Sequence, residues 1–565
     1  MTEGHQAPRT QAQISRAAIQ RLFVSMRHLF LRGGYKPLGV SGESMIEAML
    51  SLKPEIYGLI ADEEKVELEG LLYIFQRLPK GIEQCRYIKL ISREGYDHSH
   101  FEKHVPPRRK RDCYRVDEEQ MFIEMTRGGS DIYDILTHLT FMYIEAEKIR
   151  KNSLDSRGRK NRSWLMLEKL IADIHEEKEI NVEVGFTYLN TILGRTYDEV
   201  ASAHGRFEKS AEVNSLFEIT YWLGKLSMEE FLTQIDREIT FSPALRENLG
   251  NHIYGEKWAN TIKKTLWDND LFERPIHIIS ANLHSVMNCF YAKSALIKKV
   301  KFESLEQFAE ILSMDDNADM RALVTDFALK NGMRKLSDTS GTNIGVQIFD
   351  SACIDIKNVA EEIGFTQKPK EKNPVFIVMD YAFGEQAYET MDELLKPYVT
   401  NEQRNHLNIR SINIMGKAGI LEGDKGDIMI PTAHVFEGTA DNYPLENSLT
   451  PSMFDGCGLG VYEGTMITVL GTSLQNKDIL TYFWRSSWKA VGLEMEGAHY
   501  QKAIQAASKI RNNIRPDIKL RYAYYASDNP LETGSTLASG SLGLDGVKPT
   551  YLITLEILKG CLKDD

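Results

Sequence analysis

Apolar residues recur at mostly three- and four-residue steps through Ala17, Ile19, Leu22, Phe23, Met26 and Leu29. The same spacing returns at Ile132, Ile135, Leu136, Leu139 and Met142, and it predicts a mainly helical stretch from Ile14 to about Lys151. The polar, basic residues 151–162 break that pattern and read as an exposed loop. Helical spacing resumes at Leu165, Leu167, Leu170, Ile171 and Ile174. Ile276-His277-Ile278-Ile279 predicts a strand, followed by an apolar helix through Val286 and Phe290. Charge and proline at residues 366–373, with apolar structure on both sides, mark a linker. Beyond it, residues 375–379, 409–415, 427–430, 466–470 and 520–526 are short, mostly apolar runs. They predict strands of a buried sheet with helical segments between several of them, and so an α/β domain. The expected organisation is a mainly helical domain over 1–150, a helical or mixed domain over 163–365 and an α/β domain over 374–565. No internal repeat is visible.

Composition narrows the class. At 565 residues the chain is too long for one core and suggests about two to four domains. Its 42% hydrophobic and 26% charged residues are ordinary for a folded soluble protein. A net charge of -12 argues against nucleic acid as the main partner, because neutralising phosphates takes a basic face. The run Arg108-Arg109-Lys110-Arg111 reads as a solvated loop, with a phosphate effector or RNA as the alternative. No apolar stretch reaches the roughly 20 residues that span a bilayer, and the start lacks a signal-peptide core. Six scattered cysteines without a C-x-x-C pair read as reduced thiols in a cytoplasmic protein. There is no phosphate-binding G-x4-G-K-[ST] loop and no metal-ligand cluster, so no cofactor and no metal is expected. Gly456, Gly458, Gly460 and Gly464 read as a flexible loop, and His277 and His284 as core histidines.

The candidate chemistry sits where extended runs stop, which is where open α/β sheets bind ligands. Residues 520–526 run into Ser527-Asp528-Asn529-Pro530, and residues 491–493 run into Glu494-Met495-Glu496-Gly497. A carboxyl at one strand end and a Glu-Met-Glu triplet at another suit cleavage of a sugar–base bond. One group gives a proton to the leaving base; another holds ribose hydroxyls while positive charge grows on the sugar. Each has a plainer reading. Asp528 caps the following turn, and Glu494 and Glu496 complement the positive start of the next helix.

Three motifs, in this order, resemble the nucleoside phosphorylase and nucleosidase superfamily: Gly416-Lys417-Ala418-Gly419-Ile420-Leu421 with Gly426-Asp427-Ile428, then Leu493-Glu494-Met495-Glu496-Gly497-Ala498, then Ser527-Asp528. Asn529-Pro530-Leu531, with Gly534 nearby, is most similar to the AMP nucleosidase branch. The resemblance covers about a third of the chain, from Pro374 to Leu562. It implies that family's α/β fold, a mixed central sheet flanked by helices, behind a large mainly helical N-terminal region with a regulatory or assembly role. It implies Asp528 as the acid that protonates N7 of a purine, with Ser527 as a base-binding residue. Glu496 is implied as acceptor for the ribose 2′- and 3′-hydroxyls, with Glu494 beside it and Met495 against the sugar. By offset from the first strand of the domain, Glu385 falls where methylthioadenosine nucleosidases carry a water-activating glutamate. Its plainer reading is an acid at the start of a helix.

The resemblance also implies a glycine turn at Gly416 and Lys417 near phosphate, and a base-binding segment at Leu474 and Gln475. The phosphorylase branch carries an arginine and a serine where this chain has Ile414 and Lys417, which counts against phosphorolysis. Leu474 stands where several relatives carry an aromatic residue, leaving the base open. His434 reads as a structural histidine, with the ribose 5′ end as its alternative. Trp484 and Arg485 read as helix packing and surface. The leading expectation is a purine nucleoside or nucleotide N-ribosyl hydrolase, AMP among the substrates to test, acting on a small molecule, away from membranes and as a homo-oligomer by resemblance. The alternatives are a phosphate-dependent nucleoside phosphorylase, a non-catalytic purine nucleotide sensor, and an RNA-binding protein.

Overall fold

The computed structural model describes residues 9–109, 111–210, 213–301, 304–355, 359–366, 369–532 and 542–564. The chain divides into two compact units. The first holds the chain up to Thr126, then Asp131–Asn251 and Ser473–Ile479. The second holds Arg127–Ser130, His252–Thr472 and Leu480–Asp565.

The first unit is helical where the spacing predicts it. Helix Gln11–Arg32 starts at a capping box between Thr10 and Gln13 and stops at Gly33, whose φ of 94° suits the left-handed cap. It buries Ile19, Leu22, Phe23, Met26 and Leu29 of the predicted stripe, with Ala18 in place of Ala17. The unit is not helical throughout, however. Its strands β1 (Gly34–Tyr35), β2 (Tyr87–Ile91), β3 (Glu102–His104), β4 (Cys113–Arg115), β5 (Gln120–Glu124) and β6 (Glu238–Phe241) form a six-stranded sheet, order β1-β6-β2-β5-β4-β3. Arg109 and Arg111 do not lie in a solvated loop. Arg109 makes a two-pronged pair with Asp134, and the buried Arg111 pairs with Asp131 and Asp134. Lys110 lies outside the described residues.

The second unit is built on β7 (Ile276–Ser280), β8 (Met333–Leu336), β9 (Val346–Asp350) and β10 (Val375–Met379). After the two-stranded β11 (Tyr398–Thr400) and β12 (Gln403–Asn405) come β13 (Ile409–Ile420), β14 (Ile428–Phe436), β15 (Asp441–Pro444), β16 (Val461–Thr468), β17 (Ala490–Glu494) and β18 (Lys519–Asp528). The main sheet is ten-stranded, order β15-β14-β16-β17-β13-β7-β10-β9-β8, with β18 paired to both β13 and β14. The pairings β14–β16–β17–β13–β18–β14 therefore close a ring, so one end of the sheet is rolled into a small barrel. Every residue of β7, β9, β10 and β17 is buried, as strands covered on both faces must be. One face packs against helices Ile253–Asp268, Gln386–Leu394 and Gly497–Gln505, and the other against Leu283–Leu296, Leu305–Ser313 and Val547–Lys563.

This architecture moves the expected boundaries. Strand β7 lies in the middle of the sheet, parallel to both β10 and β13. The α/β unit thus gathers the chain from His252, and residues 366–373 are a connection inside it. Within that connection Asn373 is buried, and its carbonyl accepts two hydrogen bonds from Arg274. The expected glycine turn at Gly416 is also absent: Gly416-Lys417-Ala418-Gly419 continues β13. Glycine is needed at 416 for space, since a Cβ there would lie 2.8 Å from the Tyr524 ring. Gly464 lies in β16 and not in a loop. Among the described residues no helix is long and apolar enough to cross a membrane.

Candidate functional site

Three chain segments meet beyond the ends of β10 and β17. Strand β17 delivers Glu494, and helix Gly497–Gln505 starts three residues later. Glu494 is buried and accepts hydrogen bonds from the Thr468 hydroxyl and the backbone N–H groups of Glu496 and Gly497. That is a helix-capping carboxylate, the plainer of its two readings, and all three donors turn it away from a ligand. Burial still pushes its pKa up to about 7 against those bonds.

Glu496 is placed differently. Its Oε1 accepts the Gly384 N–H at 2.8 Å and its Oε2 the Met495 N–H at 3.3 Å. Burial first, and the Glu494 charge second, push its pKa up to about 8, while the two N–H bonds oppose the shift. The side chain is half-buried and lines a cavity of about 200 Å³ with Ser280, Tyr381, Gly416, Lys417, Tyr500 and Tyr524. Tyr500 meets the Ser280 hydroxyl at 3.1 Å. Tyr524 meets His434 Nε2 at 3.0 Å. His434 is wholly buried, with its pKa pushed down to about 3, so it is a neutral structural histidine that fixes the Tyr524 ring.

Gly384 joins Glu385 to this group. It has a φ of 55°, and a Cβ there would run into the Ser130 side chain. Ser130 Oγ accepts the Glu385 N–H at 2.8 Å, so Glu385 stands next to the Glu496 cradle at the start of helix Gln386–Leu394. The reason for singling out Glu385 changes, though. The first strand of the α/β unit is β7, and Ala281-Asn282-Leu283-His284-Ser285-Val286 after it contain no carboxylate. The offset expectation for Glu385 therefore rested on the wrong strand, and only its nearness to Glu496 supports it. Ser130 was not anticipated. Its one signal was the run Gly128-Gly129-Ser130 far upstream, which opens helix Gly128–Ser153.

Asp528 ends β18 and is buried, with Ser527 Oγ in hydrogen-bond reach of both its Oδ1 and, at 3.0 Å, the Ala418 carbonyl. Gly419 of β13 pairs with Asp528 on one side and with Leu493 on the other. The strand ends carrying Asp528 and Glu494 thus flank one residue, about 10 Å apart at two strand spacings. Asp528 is not among the residues lining the 200 Å³ cavity, and neither are Glu385 and Met495. Gly534 lies outside the described residues. Asp427 holds the N–H groups of Asp424 and Gly460 and acts as a loop staple.

The expected base-binding residues go elsewhere. Leu474 and Gln475 belong to the first unit, Leu474 is 1% exposed, and the Gln475 carbonyl accepts the Glu55 N–H. His277 is a core histidine paired with Ser411 Oγ at 2.7 Å, whereas His284 is exposed, because its helix starts at the sheet edge. Among the described residues His252, Asp392 and Glu393 have metal-ligand spacing. Lys396 pairs with both acids and Arg511 with Asp392, so cations of the chain already occupy that place.

Over about half its length the chain is similar to solved structures of a futalosine hydrolase and of nucleosidases. A Helicobacter pylori futalosine hydrolase mutant is 10% identical over 52% of this chain and 100% of its own, with a TM-score of 0.29. The Campylobacter jejuni 5′-methylthioadenosine/S-adenosyl homocysteine nucleosidase is 11% identical over 51% and 99%, TM-score 0.28. The Arabidopsis thaliana 5′-methylthioadenosine nucleosidase is 12% identical over 52% and 99%, TM-score 0.29. Scores of this size leave the function to the geometry of the site. No curated protein matches. One family model, described as a family of unknown function (DUF6909), matches residues 43–311 and 311–563.

Proposed function

We propose, for a chain that belongs to the DUF6909 family of unknown function, an N-ribosyl hydrolase that releases the base from a purine nucleoside or nucleotide. The observation that carries this reading is Glu496. A carboxyl gripped by two backbone N–H groups faces a sugar-sized cavity walled by tyrosines, at the strand ends of an α/β sheet. Burial makes its negative charge costly until a positive partner arrives, and the sugar of a breaking glycosidic bond becomes such a partner in the transition state. In this reading Glu496 accepts the ribose hydroxyls. Asp528 protonates the leaving base, and Glu385, beside the Glu496 cradle, activates water.

Purified protein incubated with AMP, adenosine, inosine and guanosine, with and without phosphate, tests the reading. Free base released without phosphate supports hydrolysis. Strict phosphate dependence replaces it with phosphorolysis.

A second reading is favoured by one observation. Leu474 and Gln475, the expected base wall, are held inside the first unit. A purine ligand bound without a fixed base wall suits a sensor better than a catalyst. Tight purine nucleotide binding with no base release under any condition would favour the sensor.

A further inference from the structure

The first unit has a cavity of its own, and every residue lining it belongs to that unit. It measures about 790 Å³, the size of a small organic ligand's pocket. Helices Val40–Leu52, Gly128–Ser153 and Leu216–Thr233 bound it, with residues 60–63 along one side. Its apolar wall is Leu38, Ile46, Leu50, Ile60, Ile144 and Phe231. Phe231 is 58% exposed, and Arg150 Cζ lies over its ring at 4.2 Å from the centroid, which holds the ring at the edge of the space.

The charges around this cavity are matched within the chain. Arg150 donates to Glu147 twice, at 3.1 and 3.0 Å. Lys148 pairs with Glu145 and donates to the Leu59 carbonyl, both at 2.8 Å. Glu230 pairs with Arg237 and Asp236 with Lys36, while Asp62 accepts the N–H groups of Glu64 and Lys65. Glu63 and Lys151 stand at the exposed rim with opposite signs. A charged ligand would lose its hydration here and gain no counter-ion in exchange. One polar group is not matched. Ser227 lines the cavity and is 1% exposed, and its hydroxyl has no hydrogen-bond partner among the described residues. A hydroxyl inside a helix can bond the carbonyl four residues back, as Thr220 does to Leu216 at 2.7 Å in this same helix. Ser227 does not, and a buried hydroxyl left so is destabilising until a partner arrives.

We propose that this cavity binds a neutral, mainly apolar small molecule carrying one hydrogen-bonding group, which meets Ser227 while its apolar body lies along Phe231, Ile46 and Leu50. A partner helix fits less well. A helix with its side chains is about 10–12 Å across, so a space of about 790 Å³ holds about 7–10 Å of its length. That is under two turns, shorter than the run from i to i+7 by which grooves grip helices. The site is independent of the nucleosidase reading, because it draws on no residue of the Glu496 cavity.

Fluorescence titration of the full chain at neutral pH tests this with four probes that share one apolar bicycle. 2-Naphthol adds a hydroxyl to it, naphthalene adds nothing, 2-naphthoate adds a negative charge and 2-naphthylmethylammonium a positive one. 2-Naphthol is expected to bind about 3- to 10-fold tighter than naphthalene, the worth of one neutral hydrogen bond, and about tenfold or more tighter than either ion. Ser227→Ala removes the difference between 2-naphthol and naphthalene. Ile46→Trp fills the space and abolishes binding of both. Phe231→Ala, at an exposed position, weakens both by about 3- to 10-fold and keeps the test open where Ile46→Trp fails to fold. No binding of any probe up to its solubility overturns the site, as does binding that Ser227→Ala and Phe231→Ala both leave unchanged. Tighter binding of either ion overturns the neutral ligand. Sedimentation equilibrium showing an oligomer that Phe231→Ala takes apart, with no 2-naphthol binding, gives the cleft to a second copy of the chain and overturns the site too. Base release, or its absence, bears on the Glu496 cavity alone.

Discussion

Replacing Glu496 by glutamine gives the sharpest test of the electrostatics at the candidate site. In the folded chain its pKa is raised from an ordinary 4.5 to about 8, chiefly by burial and then by Glu494. Between those two values the unfolded chain has released the proton while the folded chain keeps it. Folding then takes up a proton, so the stability this group contributes is fully present below about pH 4.5. It is lost as pH rises toward 8. Each pH unit between the two values corresponds to about 1.4 kcal/mol, which sets a ceiling of about 5 kcal/mol. Glu496 is open to the cavity, where water relieves part of the penalty, and roughly 2 kcal/mol is a fairer size.

Glutamine removes that pH dependence and also loses something. Its amide nitrogen cannot accept one of the two N–H groups, from Gly384 or Met495, that the carboxylate holds. An unmade bond of that kind costs about 1 kcal/mol at every pH. The expected result is therefore a change of sign. Glu496→Gln is less stable than the natural chain at pH 5 by about 1 kcal/mol and more stable at pH 9 by a similar amount. Differential scanning calorimetry from pH 5 to pH 9 reads this as melting curves that cross, separated by about 1–2 °C at either end. Other buried acids bend the profile of both proteins alike and drop out of the difference, except Glu494, which no longer meets a charge at 496 in the variant and so adds to the variant's advantage at high pH. Parallel curves with no crossing would refute the reasoning, because Glu496 would then ionise without penalty.

The remaining expectations concern the neighbours of Glu496. Asp528→Asn should lower base release by about 10²–10⁴-fold while calorimetry still reports ligand binding, as loss of a general acid does; unchanged turnover would remove Asp528 from the chemistry. Gly497→Ala puts a Cβ within 2.7 Å of the Tyr524 hydroxyl and closer still to the His434 ring, and it should cost about 1–3 kcal/mol in a denaturant melt. An unshifted midpoint would mean that His434 and Tyr524 are less tightly fixed than their 3.0 Å bond indicates. Ser130→Ala leaves the Glu385 N–H without its 2.8 Å acceptor and should lower stability by about 1 kcal/mol. A fall in kcat at unchanged KM would mark Ser130 as a positioning residue for Glu385, whereas a purely structural role would move the melting curve alone.

How much of this was legible in the sequence depends on whether a feature is local. Strands β10, β13, β14, β17 and β18 and the buried end of β16 announce themselves as short apolar runs because burial on both faces leaves them few polar positions. Strand β7 is equally visible as Ile276–Ile279, yet its partners are not. It pairs with β10 and β13, far along the chain, and nothing in a five-residue apolar run encodes which strand it joins. That missing pairing displaced the domain boundary, and the offset argument for Glu385 failed with it. The sheet of the first unit was missed for another reason. Its strands are two to five residues long, and longer helical patterns on either side swamp their period. Leu474 and Gln475 show the same limit at the site: their local sequence reads as a ligand loop, while the fold commits them to the first unit.

The Glu-Met-Glu triplet shows why two identical acids two residues apart take different duties. A helix that starts immediately after a strand leaves several N–H groups without partners, and the carboxylate nearest in space, Glu494, takes two of them together with Thr468. With the helix start satisfied, Glu496 does not cap and points instead toward Gly384 and the cavity. The two acids remain close enough for the first to raise the pKa of the second. Glu494 thus keeps Glu496 from settling as an unstrained carboxylate, and a developing cation in the cavity would gain from that repulsion being relieved. A single acid at this strand end could cap the helix or face the ligand. Both roles require the pair, which gives the triplet a physical reason beyond its likeness to a motif.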